Sequence, residues 1–209
     1  MTEISPIYKI KIQDAKEVTC VRKAYNLDLL AIGCWNIPEI ILVTLLVRPN
    51  ESDKRLDKLR GHCKGISCLN YYERKHLLIS GGYDCNIIVW NLLDRQKLVK
   101  FEAHKHYIGS IQIESNGEFF YTISRDNTIR EWNTKTGEPS ECFEKYFTNT
   151  CRFSFTLTPC EKFIAAANFE KNYKVDMFNI LTKKLFCDFD DINQKDQFLN
   201  RSKNNKSQK

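Results

Sequence analysis

The sequence lacks any long apolar stretch. Its most apolar run, residues 40–47, is eight residues long and is flanked by Glu39 and Arg48, whereas a membrane-spanning helix needs roughly 20 residues. The first residues carry acids and lysines where a secretory signal would have an apolar core. We therefore expect no membrane insertion and an intracellular, cytoplasmic location.

Motifs of metal and cofactor chemistry are also missing. The nine cysteines include no C-x-x-C pair. Cys63 and Cys68 are the closest candidate zinc ligands, but the sequence has no second closely spaced pair to complete a site. We expect free, mostly buried thiols, because an intracellular compartment is reducing. No Gly-rich phosphate loop and no H-E-x-x-H motif is present. The acidic cluster at residues 188–191 does not have EF-hand spacing. We expect no metal and no cofactor.

The positive charge is concentrated at one end. The formal net charge is +6, and four of the cations lie in the last nine residues: Arg201, Lys203, Lys206 and Lys209. The rest of the chain is close to neutral, which argues against binding nucleic acid through phosphate contacts. Residues 190–209 are predicted to be a polar, partly basic, disordered tail. Association with nucleic acid through this tail remains an alternative.

The chain contains an internal repeat. In two segments, residues 61–91 and 103–133, a histidine precedes a tryptophan by 28 positions and an aspartate precedes the same tryptophan by six. The residues are His62, Asp84 and Trp90 in the first segment, and His104, Asp126 and Trp132 in the second. Agreement at separate spacings indicates two copies of one structural unit.

Short apolar runs separated by turn residues predict strands throughout both segments. Weaker copies flank them, and no ten-residue stretch has a helical period. The upstream copy has strands at 18–21, 29–33 and 40–47, Thr44 in the tryptophan position and a loop at 48–58. The downstream copy has strands at 151–157, 163–167, 175–178 and 184–189, with Phe178 in the tryptophan position.

This pattern resembles the WD repeat, in which Gly-His and Trp-Asp pairs bracket units of about 40–45 residues. Here the pairs are Gly61-His62 with Trp90-Asn91, and Ala103-His104 with Trp132-Asn133. The resemblance implies an all-β chain of about four four-stranded β-propeller blades. The expected boundaries are a degenerate blade with an insertion loop at 1–60, WD blades at 61–102 and 103–145, a degenerate blade at 146–189 and the tail.

Four such blades are expected to form an incomplete, open propeller with an apolar sheet face at each end. We favour completion by a partner or a second copy of the chain. The alternatives are closure as a small propeller and a fragment of a longer protein.

The resemblance also implies a buried hydrogen-bond chain in each strong blade. Its members are His62, Ser80, Asp84 and Trp90, and His104, Thr122, Asp126 and Trp132. The same Ser/Thr, His and Asp residues could suggest a hydrolase triad, but a catalytic site has no reason to occur twice at identical offsets. We therefore expect no enzyme activity and no catalytic residues.

Function is then expected on the propeller surface, as a protein–protein interaction scaffold. Candidate binding residues lie just before the two aspartates and near the start of the innermost strands: Lys64, Tyr83, Tyr107 and Arg125. Residues 59–91 also resemble blades of large cilia- and flagella-associated WD proteins. A role in such an assembly, with a location at the cilium or cytoskeleton, is a further alternative.

Overall fold

The computed structural model describes residues 11–45, 56–102, 104–143, 155–168 and 174–188. Within these residues the chain forms four antiparallel sheets of four strands, and within each sheet every strand pairs with the next one along the chain. The predicted all-β class is confirmed. Two single turns of 3-10 helix, Tyr25–Leu27 and Glu73–Lys75, lie between the first two strands of the first and second sheets.

The strands follow one order in every sheet, from the innermost strand outwards. The first sheet contains β1 (Val18–Ala24), β2 (Leu29–Cys34), β3 (Ile40–Thr44) and β4 (Leu56–Leu59). The second contains β5 (Ile66–Tyr72), β6 (Leu77–Gly82), β7 (Asn86–Asn91) and β8 (Gln96–Glu102). The third contains β9 (Ile108–Ile113), β10 (Phe119–Ser124), β11 (Ile129–Asn133) and β12 (Pro139–Cys142). The fourth contains β13 (Phe155–Leu157), β14 (Phe163–Asn168), β15 (Lys174–Asn179) and β16 (Leu185–Asp188).

The sheets stack in chain order through their inner strands. β1 packs against β5, β5 against β9, and β9 against β13. The core consists of the apolar layers between successive sheets, such as the layer in which Ile79 and Val89 of the second sheet meet Phe120 and Trp132 of the third. In the described part of the chain the sheets do not close into a ring.

Two glycines allow the sheets to approach closely. A Cβ atom on Gly81 would lie 2.7 Å from Cys68 Sγ and 2.8 Å from Cγ2 of Ile108, on the next sheet. Gly33 has the same position in the first sheet, where its Cβ would lie 2.7 Å from Cγ2 of Ile66. All three distances are shorter than real Cβ contacts, so the inner strand of the next sheet lies directly against the glycine backbone.

The register of the first sheet corrects two expectations. Leu30 pairs with Val43 as Leu78 pairs with Trp90, so Val43 and not Thr44 occupies the tryptophan position. Leu56 to Leu59 pair with β3 and form β4. The last three residues of the loop predicted at 48–58 therefore belong to a strand.

The expectation that the cysteines are mostly buried is wrong for the described residues. Cys34 and Cys68 are buried, Cys20 and Cys85 are partly buried, and Cys63 and Cys160 are exposed, all six as free thiols. The predicted tail at 190–209 lies outside the described residues, and the domain boundaries stay a prediction. None of the described residues forms a helix long and apolar enough to cross a membrane.

Replacing Gly81 with alanine is expected to lower the free energy of unfolding by about 1–3 kcal/mol, because the new methyl group overlaps Cys68 and Ile108. Urea denaturation followed by circular dichroism measures the change. Leu98→Ala is the control, since Leu98 is exposed on β8. Equal stability of the Gly81 variant and the control would contradict the close packing of the second and third sheets.

Candidate functional site

A buried chain of four side chains crosses the second sheet. His62 lies just before β5, Ser80 is on β6, Asp84 is in the turn after β6, and Trp90 is on β7. His62 Nδ1 lies 2.9 Å from Asp84 Oδ1, and His62 Nε2 lies 2.8 Å from Ser80 Oγ. The indole N–H of Trp90 donates to Ser80 Oγ at 2.9 Å. The hydroxyl therefore joins the histidine to the tryptophan.

The third sheet has the same arrangement. His104 Nδ1 lies 2.9 Å from Asp126 Oδ2, and His104 Nε2 lies 2.7 Å from Thr122 Oγ1. Trp132 donates its indole N–H to Thr122 Oγ1 at 2.8 Å. Thr128 adds a hydroxyl that donates to Asp126 Oδ1 at 2.6 Å. The structure thus brings all eight residues of the predicted chains together, four in each sheet.

The aspartates are held ionised although their side chains are almost fully buried. Burial by itself would raise the pKa of Asp84, but hydrogen bonds from His62 and from the backbone N–H of Cys63 outweigh it and hold the pKa well below its usual range. Asp126 has the same balance, with His104 and Thr128 as the main donors. Each carboxylate therefore fastens the segment before the inner strand to the turn after the second strand.

His104 is neutral near pH 7. Burial lowers the pKa of its imidazole, and the hydrogen bond to Asp126 opposes this only in part. A neutral ring that donates from Nδ1 to Asp126 must accept at Nε2, so the Thr122 hydroxyl donates to His104 while it accepts from Trp132. Every polar group of this chain then has a partner, as a stable buried network requires.

The first and fourth sheets do not have the complete hydrogen-bond chain that crosses the second and third sheets. At the position of Ser80 and Thr122, the register places Ile32 in the first sheet and Ala166 in the fourth. Val43 and Phe178 stand at the corresponding tryptophan positions. Where the hydroxyl is absent the indole is absent too, because a buried indole N–H without an acceptor would cost free energy.

An aromatic and cationic surface lies at the end of the sheets where these aspartates are. The rings of Tyr83 and Tyr107 lie 5.1 Å apart, centroid to centroid. The Arg125 guanidinium lies 5.9 Å from the Tyr107 ring centroid. Tyr83 and Tyr107 are partly buried and Arg125 is exposed. Burial raises the pKa of Tyr83, and Tyr107 and Glu17 act in the same direction, so its hydroxyl stays protonated.

The structure adds Trp35 to this surface. The backbone N–H of Trp35 donates to Glu17 O at 3.0 Å, just as Tyr83 donates to Gly65 O and Arg125 to Tyr107 O. Trp35 thus has the same position in the first sheet, and it is 50% exposed. Its spacing from Gly33, which matches that of Tyr83 from Gly81, is the sequence signal that could have identified it. We call Trp35, Tyr83, Tyr107 and Arg125 the aromatic face.

Lys64 is exposed and is not part of this ring cluster. Burial raises the pKa of the Cys85 thiol, the Asp84 carboxylate raises it further, and the Lys64 ammonium partly opposes the shift. In the ranges that the structure describes, no group of three or more His, Cys, Asp or Glu side chains could hold a metal ion.

Comparison with known proteins agrees with this architecture. Residues 53–91 and 95–133 match the family model "WD domain, G-beta repeat". The chain therefore contains two WD repeats, and these matched repeats hold the two complete hydrogen-bond networks.

Its relatives are much longer proteins. Protein hir1 of Schizosaccharomyces pombe is 30% identical over 115 residues, which are 53% of this chain and 12% of that protein. The p21-activated protein kinase-interacting protein 1-like of Danio rerio is 29% identical over 132 residues, 60% of this chain and 35% of that protein. Eukaryotic translation initiation factor 3 subunit I of Meyerozyma guilliermondii is 36% identical over 81 residues, 39% and 23% of the two chains. The matches thus span at most about a third of these three relatives.

Replacing Ser80 with alanine is expected to lower the free energy of unfolding by about 1–3 kcal/mol, since His62 Nε2 and the Trp90 indole N–H lose their shared partner. Urea denaturation with tryptophan fluorescence measures this loss. Thr182→Ala, at an exposed turn position, is the control and should have little effect. A Ser80 variant as stable as the wild type would show that the chain does not stabilise the sheet.

The free energy of unfolding is expected to decrease in two steps as the pH is lowered. Because burial lowers the pKa of His104 in the folded state, the unfolded chain takes up that proton first, and the free energy of unfolding decreases as pH falls below about 6.5. Asp84 and Asp126 also have lowered pKa values, so a further decrease begins near pH 4, about where unfolded aspartates protonate. Urea midpoints between pH 8 and pH 3 should show both steps.

His104→Gln should remove most of the upper step, whereas His106→Gln should keep it, because His106 is exposed. An unchanged upper step in the His104 variant would assign that proton uptake to another group.

Proposed function

We propose that this chain is a non-catalytic scaffold that binds other proteins through the aromatic face. The observation that carries the proposal is the contrast between its two sets of polar residues. The His, Asp and hydroxyl groups that could do chemistry are buried and engaged with one another in duplicate. The aromatic face, by contrast, presents rings and a guanidinium to solvent.

The composition of the aromatic face suits a protein partner. Trp, Tyr and Arg are the residues that most often dominate binding energy at protein interfaces. They bury a large area while their polar ends still form hydrogen bonds. Mutual packing of Tyr83, Tyr107 and Arg125 restricts these side chains before binding, so less conformational entropy is lost when a partner docks.

Other features support a binding role. The name of one relative, the p21-activated protein kinase-interacting protein 1-like, describes an interaction with another protein. The open stack of sheets supports completion of the array by another chain. An intracellular location and the division of the chain into four blades and a tail belong to the same proposal.

Affinity capture from a cell extract, with the bound proteins identified and then titrated as purified components, tests the role of the aromatic face. Trp35→Ala and Arg125→Ala should each weaken binding by about tenfold, as expected for loss of an interface anchor. Tyr25→Ala and Arg74→Ala are matched controls: both residues are exposed, and they lie in or beside the turns at the opposite end of the sheets.

Loss of binding in the controls as well, or unchanged binding in all four variants, would contradict the assignment of this face. Circular dichroism of each variant should be unchanged, because Trp35 and Arg125 are exposed side chains.

A further inference from the structure

The fourth sheet has an apolar face that points away from the third sheet. Ala167 of β14 pairs with Val175 of β15, just as Gly81 pairs with Ile87 in the second sheet and Ile123 with Ile129 in the third. Ile87 and Ile129 are fully buried at 0% exposure, whereas Val175 is 37% exposed. The position that the next sheet covers in the middle of the stack is therefore open at this end.

The first sheet is open on the opposite side, along its inner strand. Val18 pairs with Cys34 and Val21 with Ile32, in the positions of Ile66 and Leu69 on β5 and of Ile108 and Ile111 on β9. Those four residues are at most 2% exposed, because they lie against the preceding sheet. Val18 and Val21 are 49% and 46% exposed.

The rest of that side of the first sheet is covered. Ile32, Ile41 and Val43 are buried, and Ile12 and Ala15 of the preceding segment pack on them. This segment is fastened by Asn36, whose side-chain amide donates to Asp14 O at 2.7 Å. It covers β2 and β3 but leaves β1 open. β1 is the strand that would enter a further junction, since at the first two internal junctions the inner strand of the later sheet lies over the first two strands of the earlier one.

The two open faces have complementary shapes. At the junction of the first and second sheets, the side chain of Ile66 fits over Gly33, and at the next junction Ile108 fits over Gly81. By register, Ala167 takes the glycine position in the fourth sheet, where it presents only a methyl group, and Val18 takes the isoleucine position in β1. Val18 is smaller than isoleucine and Ala167 is larger than glycine, so the two differences in side-chain size compensate each other.

Side-chain hydrogen bonds also cross the internal junctions, from the inner strand of one sheet to the inner strand of the next. Asn70 donates to Ile111 O at 2.9 Å across one junction, and Gln112 donates to Phe155 O at 3.1 Å across the next. Thr156 pairs with Ala165 as Gln112 pairs with Tyr121, so Thr156 has the corresponding position in the fourth sheet, and it is exposed. Its hydroxyl donates to Leu157 O at 3.3 Å, a bond that it would exchange for one across the junction. The acceptor at the equivalent position of β1 is the carbonyl of Val21.

We infer that two copies of this chain associate head to tail, with β1 of one copy seated on β13 and β14 of the other. A second copy is the one partner for which the structure provides both halves of the junction, in the same register as the junctions inside the chain. Two arrays of four sheets would give eight, which is within the range of closed propellers. The inference rests on the proposed completion of the array by another chain, and it does not depend on the aromatic face.

Sedimentation velocity of the full chain over a concentration series tests this pairing. The wild type should form dimers reversibly. Val18→Glu and Val175→Glu should each raise the dissociation constant at least tenfold, because each places a charge in both apolar junctions. Leu98→Glu is the matched control, since Leu98 is an aliphatic residue of β8 that is 52% exposed, and it should leave the dimer intact.

Mixing the two variants separates head-to-tail pairing from pairing of identical faces. A Val18→Glu copy keeps its fourth-sheet face and a Val175→Glu copy keeps its β1 face, so the mixture has one intact junction and should associate more tightly than either variant alone. If a variant fails to fold by circular dichroism, Val21→Glu or Thr156→Arg replaces it on the same face.

A monomeric wild type at every concentration would overturn the pairing. So would a dimer that survives Val18→Glu, or one that Leu98→Glu disrupts equally. These outcomes leave the aromatic face untouched, whereas unchanged partner capture by Trp35→Ala and Arg125→Ala would leave the dimer untouched. The two assignments can therefore fail separately.

Discussion

The structure depends on contact between successive sheets. A strand such as β6 is apolar on both sides, with Leu78 facing one neighbour and Ile79 the other, so a single sheet could not bury its own apolar surface. Stability must therefore come from each junction in turn, as in other repeat proteins. The glycines on which Ile66 and Ile108 sit bring the inner strands close enough to exclude gaps. For the same reason, apolar residues remain exposed at the two ends of the described array, at Val18 and Val21 of the first sheet and Val175 of the fourth.

The buried polar chains have a different role from the apolar layers. Asp84 and Asp126 stand outside the strands, in turns, and each connects its turn to the segment that enters the sheet. Apolar packing cannot fix such a segment, because the backbone there has polar groups that need partners. In the first and fourth sheets Ile32 and Ala166 replace the hydroxyl residue, and Val43 and Phe178 replace the tryptophan, so a sheet of this kind forms without the complete hydrogen-bond network. The middle sheets, which contact a neighbour on each side, are the ones whose turns are fastened in this way, and Tyr83 and Arg125 of the aromatic face lie in these turns.

Much of this could be predicted from the sequence because the signals are periodic. The offsets of His62, Asp84 and Trp90, repeated at His104, Asp126 and Trp132, indicated two copies of one unit and carried the resemblance to the WD repeat, and that resemblance implied the four-stranded sheets. The Val43 position could not be predicted, because without a tryptophan only the strand register distinguishes it from Thr44. Trp35 was missed for a related reason, since the first sheet has no aspartate after it to mark the turn. Of the turns between the first two strands, the one at Ser115-Asn116-Gly117 has a clear sequence signal. Asp28, His76, Gly117 and Glu161 all adopt positive φ at these turns, yet only the glycine is typical of that conformation.

The exposure of the three tryptophans divides them into two spectroscopic classes. Trp90 and Trp132 are buried and hydrogen-bonded to hydroxyl groups, so their emission reports on the integrity of the second and third sheets. Trp35 is half exposed, so an aqueous quencher such as iodide can reach it in the folded protein while the other two are shielded. The molecule thus contains a natural optical probe at its surface. Quenching of Trp35 fluorescence can show when a partner covers that surface, and the fluorescence of Trp90 and Trp132 can show whether the interior has changed.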